Sequence, residues 1–248
     1  MVYTAGLMGK PRVLIGIPVF NEAKYVSDVL SEVLRYASDV LVIDDGSTDA
    51  TPRLLAEHPV EVIRHAQNRG YGRSMQDMLR WARVDGFDWL ITMDCDRQHE
   101  PAAIPVFMET IARDDTDVIS GSRYLNVHDG DDAPPADRQA INGELTGMLN
   151  HRLGLEITDA FCGFKAYRVS ACATLPLDVD GYDFPMQFWA EAFCAGLRIK
   201  ELPVRLIYTD DSRSFGGPLD DPTHRRSVYL DTLEEALRRC EAATPCCG

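Results

Sequence analysis

Asp94-Cys95-Asp96 follows the apolar run Trp89-Leu90-Ile91-Thr92-Met93. Side chains two apart on a strand share a face. Extended backbone continued through Asp96 would aim both carboxylates together at a strand end. Two convergent carboxylates form a hard oxygen site suited to a divalent cation that also holds phosphate. A solvated acidic turn has the same composition, and the triplet alone does not separate the two readings.

Similar polar clusters follow other apolar runs. Val13 to Phe20 reads as a buried strand ending in Asn21-Glu22, and Val40 to Ile43 as a second, ending in Asp44-Asp45-Gly46-Ser47-Thr48-Asp49. Helical spacing predicts helices over Ala23 to Tyr36, Thr51 to Glu57 (capped by Ser47 or Asp49), Ser74 to Val84 and Pro101 to Arg113. Val60 to Arg64, Trp89 to Met93 and Asp117 to Ser120 complete a strand–helix alternation. That order implies a parallel sheet between helices, with ligand groups at the carboxyl ends of strands. The clusters at Asn21-Glu22, Asp44-Asp45 and Asp94 to Asp96 all fall there.

Beyond Ser120, the Asp/Gly/Pro-rich segment Asn126 to Asp137 reads as a loop or lid. Arg138, Asn142, Thr146 and Asn150 then recur every four residues along one helix face, either solvated or facing a ligand. Ser227 to Ala242, with Val228, Leu230, Leu233 and Leu237, reads as an amphipathic helix that packs on the domain or mediates oligomerisation, with weak membrane contact the lesser alternative.

The 248 residues carry 25 Lys+Arg against 39 Asp+Glu, a net charge of −14. That balance argues against a broad nucleic-acid surface, although it permits a local phosphate pocket. No stretch approaches the roughly 20 apolar residues of a membrane span, and Met1 to Lys10 shows no secretory signal. Seven cysteines without paired zinc spacing suggest a reduced, cytoplasmic setting, with Cys246-Cys247 in a frayed tail.

Ile17-Pro18-Val19-Phe20-Asn21-Glu22, Val42 to Asp49 and Met93-Asp94-Cys95-Asp96 together resemble the family 2 glycosyltransferases, closest to the dolichol-phosphate mannose synthase group. Asn68 to Gly72, Gly121 to Tyr124, Asp159 with Gly163-Phe164, and Glu201-Leu202-Pro203 extend the likeness from about Val13 to Tyr208. The resemblance implies a GT-A fold: a Rossmann-like, mostly parallel central sheet flanked by helices. It implies one domain over residues 1–248, with a nucleotide-sugar half at 11–125, an acceptor-side half at 126–226 and a terminal helix and tail at 227–248.

By the same resemblance, Asp94, Asp96 and Gln98 hold Mg²⁺ or Mn²⁺ as leaving-group activator. Pro18, Phe20, Asn21, Glu22 and Asp45 receive a GDP- or UDP-sugar donor, although Asn21 and Asp45 are also good turn and capping residues. Arg123 and Arg138 match positions that hold a polyprenyl phosphate acceptor, which needs cations and no general base. A hydroxyl acceptor would instead need a base among Asp159, Asp183 and Glu191. The family's R-x-x-G-x-S-K segment lacks its Ser-Lys half here, leaving Arg213 as the donor-diphosphate candidate. His224-Arg225-Arg226 would pair with phosphates or with surface acids.

The expected activity is metal-dependent, inverting sugar transfer to a polyprenyl phosphate at the cytoplasmic membrane face. Peripheral contact or a separate membrane subunit would bring the enzyme there. The rivals are transfer to a soluble or glycan hydroxyl and a non-catalytic nucleotide-sugar sensor. A nucleotidyltransferase would need a basic, glycine-rich triphosphate loop after the first strand, which Pro18 to Glu22 does not supply.

Overall fold

Runs of β-branched residues favour pleated, buried strands, and two of them pair in parallel: β1 (Val13–Val19) and β2 (Val40–Asp44). The computed structural model describes residues 10–126, 132, 136–207 and 217–243. Between these strands lies α1 (Val26–Val33). They are followed by α2 (Thr51–Leu55), β3 (Glu61–Arg64), α3 (Tyr71–Val84), β4 (Trp89–Thr92), α4 (Ile104–Ile111) and β5 (Val118–Ser122). Then come α5 (Ala136–Leu153), β6 (Lys165–Arg168), α6 (Val169–Cys172), α7 (Phe184–Cys194), β7 (Ile199–Pro203) and α8 (Pro222–Ala243).

The seven strands form one sheet in the order β3-β2-β1-β4-β6-β5-β7. β1, β2, β3 and β4 run parallel, as do β5 and β7, but β6 is antiparallel to both β4 and β5. Sequence periodicity gave no strand at β6, because Lys165-Ala166-Tyr167-Arg168 places two cations in four residues. Elsewhere strand alternation sorts the core. Leu14, Leu41 and Leu90 pack with Met75, Met78 and Leu79 of α3 on one face, while Ile15, Val42 and Ile91 meet α1 and α4 on the other.

Element ends differ from expectation for identifiable reasons. Pro105 has no N–H to give the Pro101 carbonyl, so the chain opens with a 3-10 turn at Pro101–Ala103 before α4. At α2 it is Asp49 that accepts the Thr51 N–H, at 2.9 Å. α8 begins five residues early, at Pro222, where proline suits a helix start. Asp221 accepts the His224 N–H there at 2.7 Å. Tyr229, Leu233 and Ala236 bury α8 against α7 and the domain.

Cys194 at the end of α7 is joined by a disulfide to Cys240 on α8. This corrects the expectation of reduced thiols throughout: 46 residues separate the pair, and only helix packing brings them together. Cys95, Cys162 and Cys172 are buried and take no part in a disulfide. Arg213, Cys246, Cys247 and most of the expected loop at 126–137 lie outside the described residues. Arg138 falls on α5, but its side chain is likewise outside them.

Candidate active site

Parallel pairing puts the ends of β1, β2 and β4 along one edge, where a pocket of about 600 Å³ opens. That volume suits a small-molecule or cofactor-sized ligand. Pro18, Phe20, Asn21, Glu22, Asp45, Asp94, Asp96, Gln98 and Arg123 all line it. The motifs scattered over a hundred residues of sequence thus share one cavity.

The β1 and β2 ends are stitched together. Asn21 adopts φ +56°, a left-handed conformation that asparagine tolerates. Its Oδ1 accepts the Thr48 N–H at 2.8 Å, while its own N–H donates to Ser47 Oγ at 2.9 Å. The turn role weighed for Asn21 is therefore realised at the pocket edge. Asp45 accepts the N–H groups of Arg69 and Gly70, each at 2.8 Å, and faces His65 Nδ1 at 2.6 Å. His65 Nε2 in turn faces Asp77 Oδ2 at 3.0 Å. A buried carboxylate thereby fixes the 69–70 backbone against the pocket, at a glycine whose φ is +103°.

Asp94 and Asp96 both line the pocket, but not by the strand alternation expected. β4 ends at Thr92, so strand alternation does not carry through Asp96. A bend follows, with Arg97 at φ +63°. Asp96 Oδ1 accepts the Gln98 N–H at 3.0 Å, and His99 Nδ1 accepts the Asp94 N–H at 3.0 Å. Gly163 backs onto Asp94: a Cβ there would sit 2.7 Å from the carboxylate carbon. The Gly163 carbonyl is held by Thr92 Oγ1 at 2.8 Å. Among the described residues no three His, Cys, Asp or Glu side chains form a metal cluster. The site offers two carboxylates and the Gln98 carboxamide, an all-oxygen set that fits a hard cation with positions left for phosphate oxygens.

Other parts of the lining are cationic and aromatic. Asp159, fully buried, receives Arg123 Nε at 2.7 Å, Arg123 Nη2 at 2.9 Å and Asn142 Nδ2 at 2.9 Å. Burial alone would raise its pKa, but the adjacent guanidinium and these hydrogen bonds hold it well below the usual carboxylate range. On α5 the polar positions Asn142, Thr146 and Asn150 face inward. Asn142 Oδ1 accepts from Thr146 Oγ1, which accepts the Ala160 N–H, and Asn150 exchanges hydrogen bonds with Ile157. Asp183 and Glu191 do not line the pocket, and Asp183 instead accepts from Thr232 Oγ1.

The motif reading missed Lys165, Phe161, Tyr182 and Tyr229, which line the pocket together with Tyr71 of the 68–72 segment. Tyr71 stacks on Tyr182 at 6.0 Å between centroids, and Phe161 on Tyr229 at 5.3 Å. These residues come from four separate segments, and each alone reads as an ordinary core aromatic. Arg225 lines the pocket, whereas its neighbour Arg226 pairs with Glu144 on the surface. Of the two outcomes expected for that basic cluster, pairing with a surface acid is seen at Arg226.

Carboxylates gathered at the carboxyl edge of parallel strands, in one pocket with buried cations, mark the ligand-binding edge of an α/β fold. A family model for glycosyl transferase family 2 matches residues 14–175, and the chain belongs to that family. Undecaprenyl-phosphate mannosyltransferase of Micrococcus luteus is 32% identical over 225 residues, spanning 83% of this chain and 88% of that protein. UDP-N-acetylglucosamine–dolichyl-phosphate N-acetylglucosaminyltransferase of Methanococcus voltae is 27% identical, spanning 84% of this chain and 91% of its own. Glucosyl-3-phosphoglycerate synthase of Mycobacterium tuberculosis, solved with Mn²⁺, UDP and glucosyl-3-phosphoglycerate, shares the fold. Its TM-score is 0.72 at 16% identity, covering 92% of this chain and 80% of that one. The protein is a glycosyltransferase with the GT-A fold.

Proposed function

We propose that the enzyme transfers a hexose, with inversion, from a nucleotide-diphosphate sugar to a polyprenyl phosphate, using Mg²⁺ or Mn²⁺. The observation that carries the acceptor assignment is the Arg123–Asp159 pair. A carboxylate gripped by a guanidinium and held acidic is a poor proton acceptor. A phosphate monoester needs none, because its attacking oxygen is already anionic. The relatives named for undecaprenyl- and dolichyl-phosphate support the same acceptor.

In this reading Pro18, Phe20, Glu22 and the loop fixed by Asp45 hold the nucleotide. Asp94, Asp96 and Gln98 hold the cation, which when bound neutralises charge on the leaving diphosphate. Arg123, through the Nη1 edge turned away from Asp159, and Arg138 hold the acceptor phosphate. Its oxygen bonds to the anomeric carbon as the carbon–oxygen bond to the donor diphosphate breaks on the opposite face. No helix among the described residues is long and apolar enough to cross a membrane. The lipid acceptor would be met at the membrane surface.

The test is product analysis after incubation with GDP- and UDP-hexoses, Mg²⁺ or Mn²⁺, and either undecaprenyl phosphate or 3-phosphoglycerate. The expected product is a lipid-linked sugar phosphodiester. Transfer only to the soluble acceptor would move the assignment to a hydroxyl nucleophile, and nucleotide-sugar binding without any transfer would favour a sensor.

A further inference from the structure

Lys165 is the pocket cation that no motif accounts for. Alternation along β6 turns Lys165 and Tyr167 into the pocket, while Ala166 packs in the opposite core. The lysine is only 4% exposed. An ammonium carries three N–H donors. Nζ donates to the Cys162 carbonyl and lies 5.4 Å from the Trp189 ring centroid, and it makes no other hydrogen bond or ion pair among the described residues.

A buried charge with so few partners is costly unless something else meets it. The nearby carboxylates are already committed: Asp159 is neutralised by Arg123, and Asp94 lies toward the candidate metal site. Burial, helped by the Arg123 charge, lowers the lysine pKa, and Cys162, Asp159 and Asp94 offset this only in part. The pocket lining thus includes a compact, buried amine with open donors alongside Asp94 and Arg123. Such a point charge suits an oxyanion.

We propose that Lys165 is an anion-contacting residue, giving its open N–H donors to a phosphate oxygen of the donor diphosphate or of the accepting phosphate monoester. The inference rests on the transferase reading above.

The test compares full-length wild type with Lys165→Met and Lys165→Arg by calorimetric binding of two probes, UDP or GDP with Mg²⁺, and farnesyl phosphate. Thermal unfolding of each protein is recorded alongside. A lost charge-assisted hydrogen bond should raise the Kd of one probe about tenfold or more in Lys165→Met, with recovery in Lys165→Arg. Weakening of the nucleotide probe assigns the donor diphosphate, and weakening of farnesyl phosphate assigns the acceptor. Unchanged binding of both overturns the proposal and leaves the lysine as support for the Cys162 carbonyl. Neither probe requires turnover, so an enzyme inactive on polyprenyl phosphate would sink the acceptor assignment while this test still reports on Lys165. Should the Met variant not fold, the Lys165 Cε resonance of labelled wild type should move on adding one probe. A resonance fixed with both overturns the proposal.

Discussion

The Arg123 guanidinium holds Asp159 by two hydrogen bonds, Nε to Oδ2 at 2.7 Å and Nη2 to Oδ1 at 2.9 Å. Both side chains are withdrawn from water, so removing one partner strands the other. Asp159→Asn should destabilise the fold by about 3 kcal/mol or more, measured by urea unfolding. Arg123→Met combined with Asp159→Asn should cost less than the two single changes added together. Strict additivity would show that the pair is not energetically coupled.

Asp117 offers a second coupled site, remote from the pocket. Hydrogen bonds from Arg198, opposed by partial burial and aided by Arg168, lower its pKa from 3.8 to about 2. A depressed folded pKa stabilises the native state above the unfolded carboxylate range. That stabilisation is lost as pH falls from about 4 towards about 2. Urea midpoints followed across this window should drop in wild type and flatten in Asp117→Asn. An identical acid limb in the variant would remove Asp117 as its source.

Gly163→Ala tests the space left for Asp94. The added Cβ would lie 2.7 Å from the Asp94 carboxylate carbon, with backbone strapped to Thr92 behind it. Mn²⁺–nucleotide affinity should fall by about tenfold or more, as expected when a neighbour that orients a ligand is disturbed. Gly143→Ala is the control, because nothing lies within 4 Å of its Cβ position. On helix α5 that change should stabilise by about 0.5–1 kcal/mol. Calorimetry with both variants decides the point.

Metal dependence has a direct readout. Chelation should abolish transfer, and Mg²⁺ or Mn²⁺ should restore it. Asp94→Asn or Asp96→Asn should lower kcat about a hundredfold or more, since neutralising the leaving diphosphate supplies several kcal/mol. Steady-state rates of the two variants near wild type would place the cation elsewhere.

The Cys194–Cys240 bond closes a 46-residue separation between α7 and α8. Chain-entropy arguments assign such a loop about 4 kcal/mol of unfolded-state restriction. Reduction should lower the thermal midpoint of wild type and leave Cys194→Ala unmoved. Equal midpoints with and without reductant in wild type would show that the staple does not contribute.

Much of the acidic strand edge was legible in the sequence. Val13 to Phe20, Val40 to Ile43 and Trp89 to Met93 are apolar runs closed by acids, and burial within a sheet requires such runs whatever their neighbours. Strand direction then fixes where the acids gather, which is why Glu22, Asp45 and Asp94 emerge together. Local chemistry sufficed for Asn21 as well, because its turn propensity is intrinsic.

The other wall was decided only by tertiary structure. Lys165 belongs to a strand with no apolar run, and its alignment in the sheet comes from pairing with β4 and β5. Whether Asn142 and Thr146 face water or Asp159 depends on which side of α5 meets the sheet, and helical periodicity alone left that open. Asp159 reads as a base candidate in the sequence, and only the fold pairs it with Arg123, 36 residues away. The sequence by itself determined the first five strands, their acidic ends and the family they belong to, because periodicity and turn chemistry are local. The counter-ions, the aromatic wall and the paired cysteines required the fold, because each depends on contacts between segments that are distant along the chain.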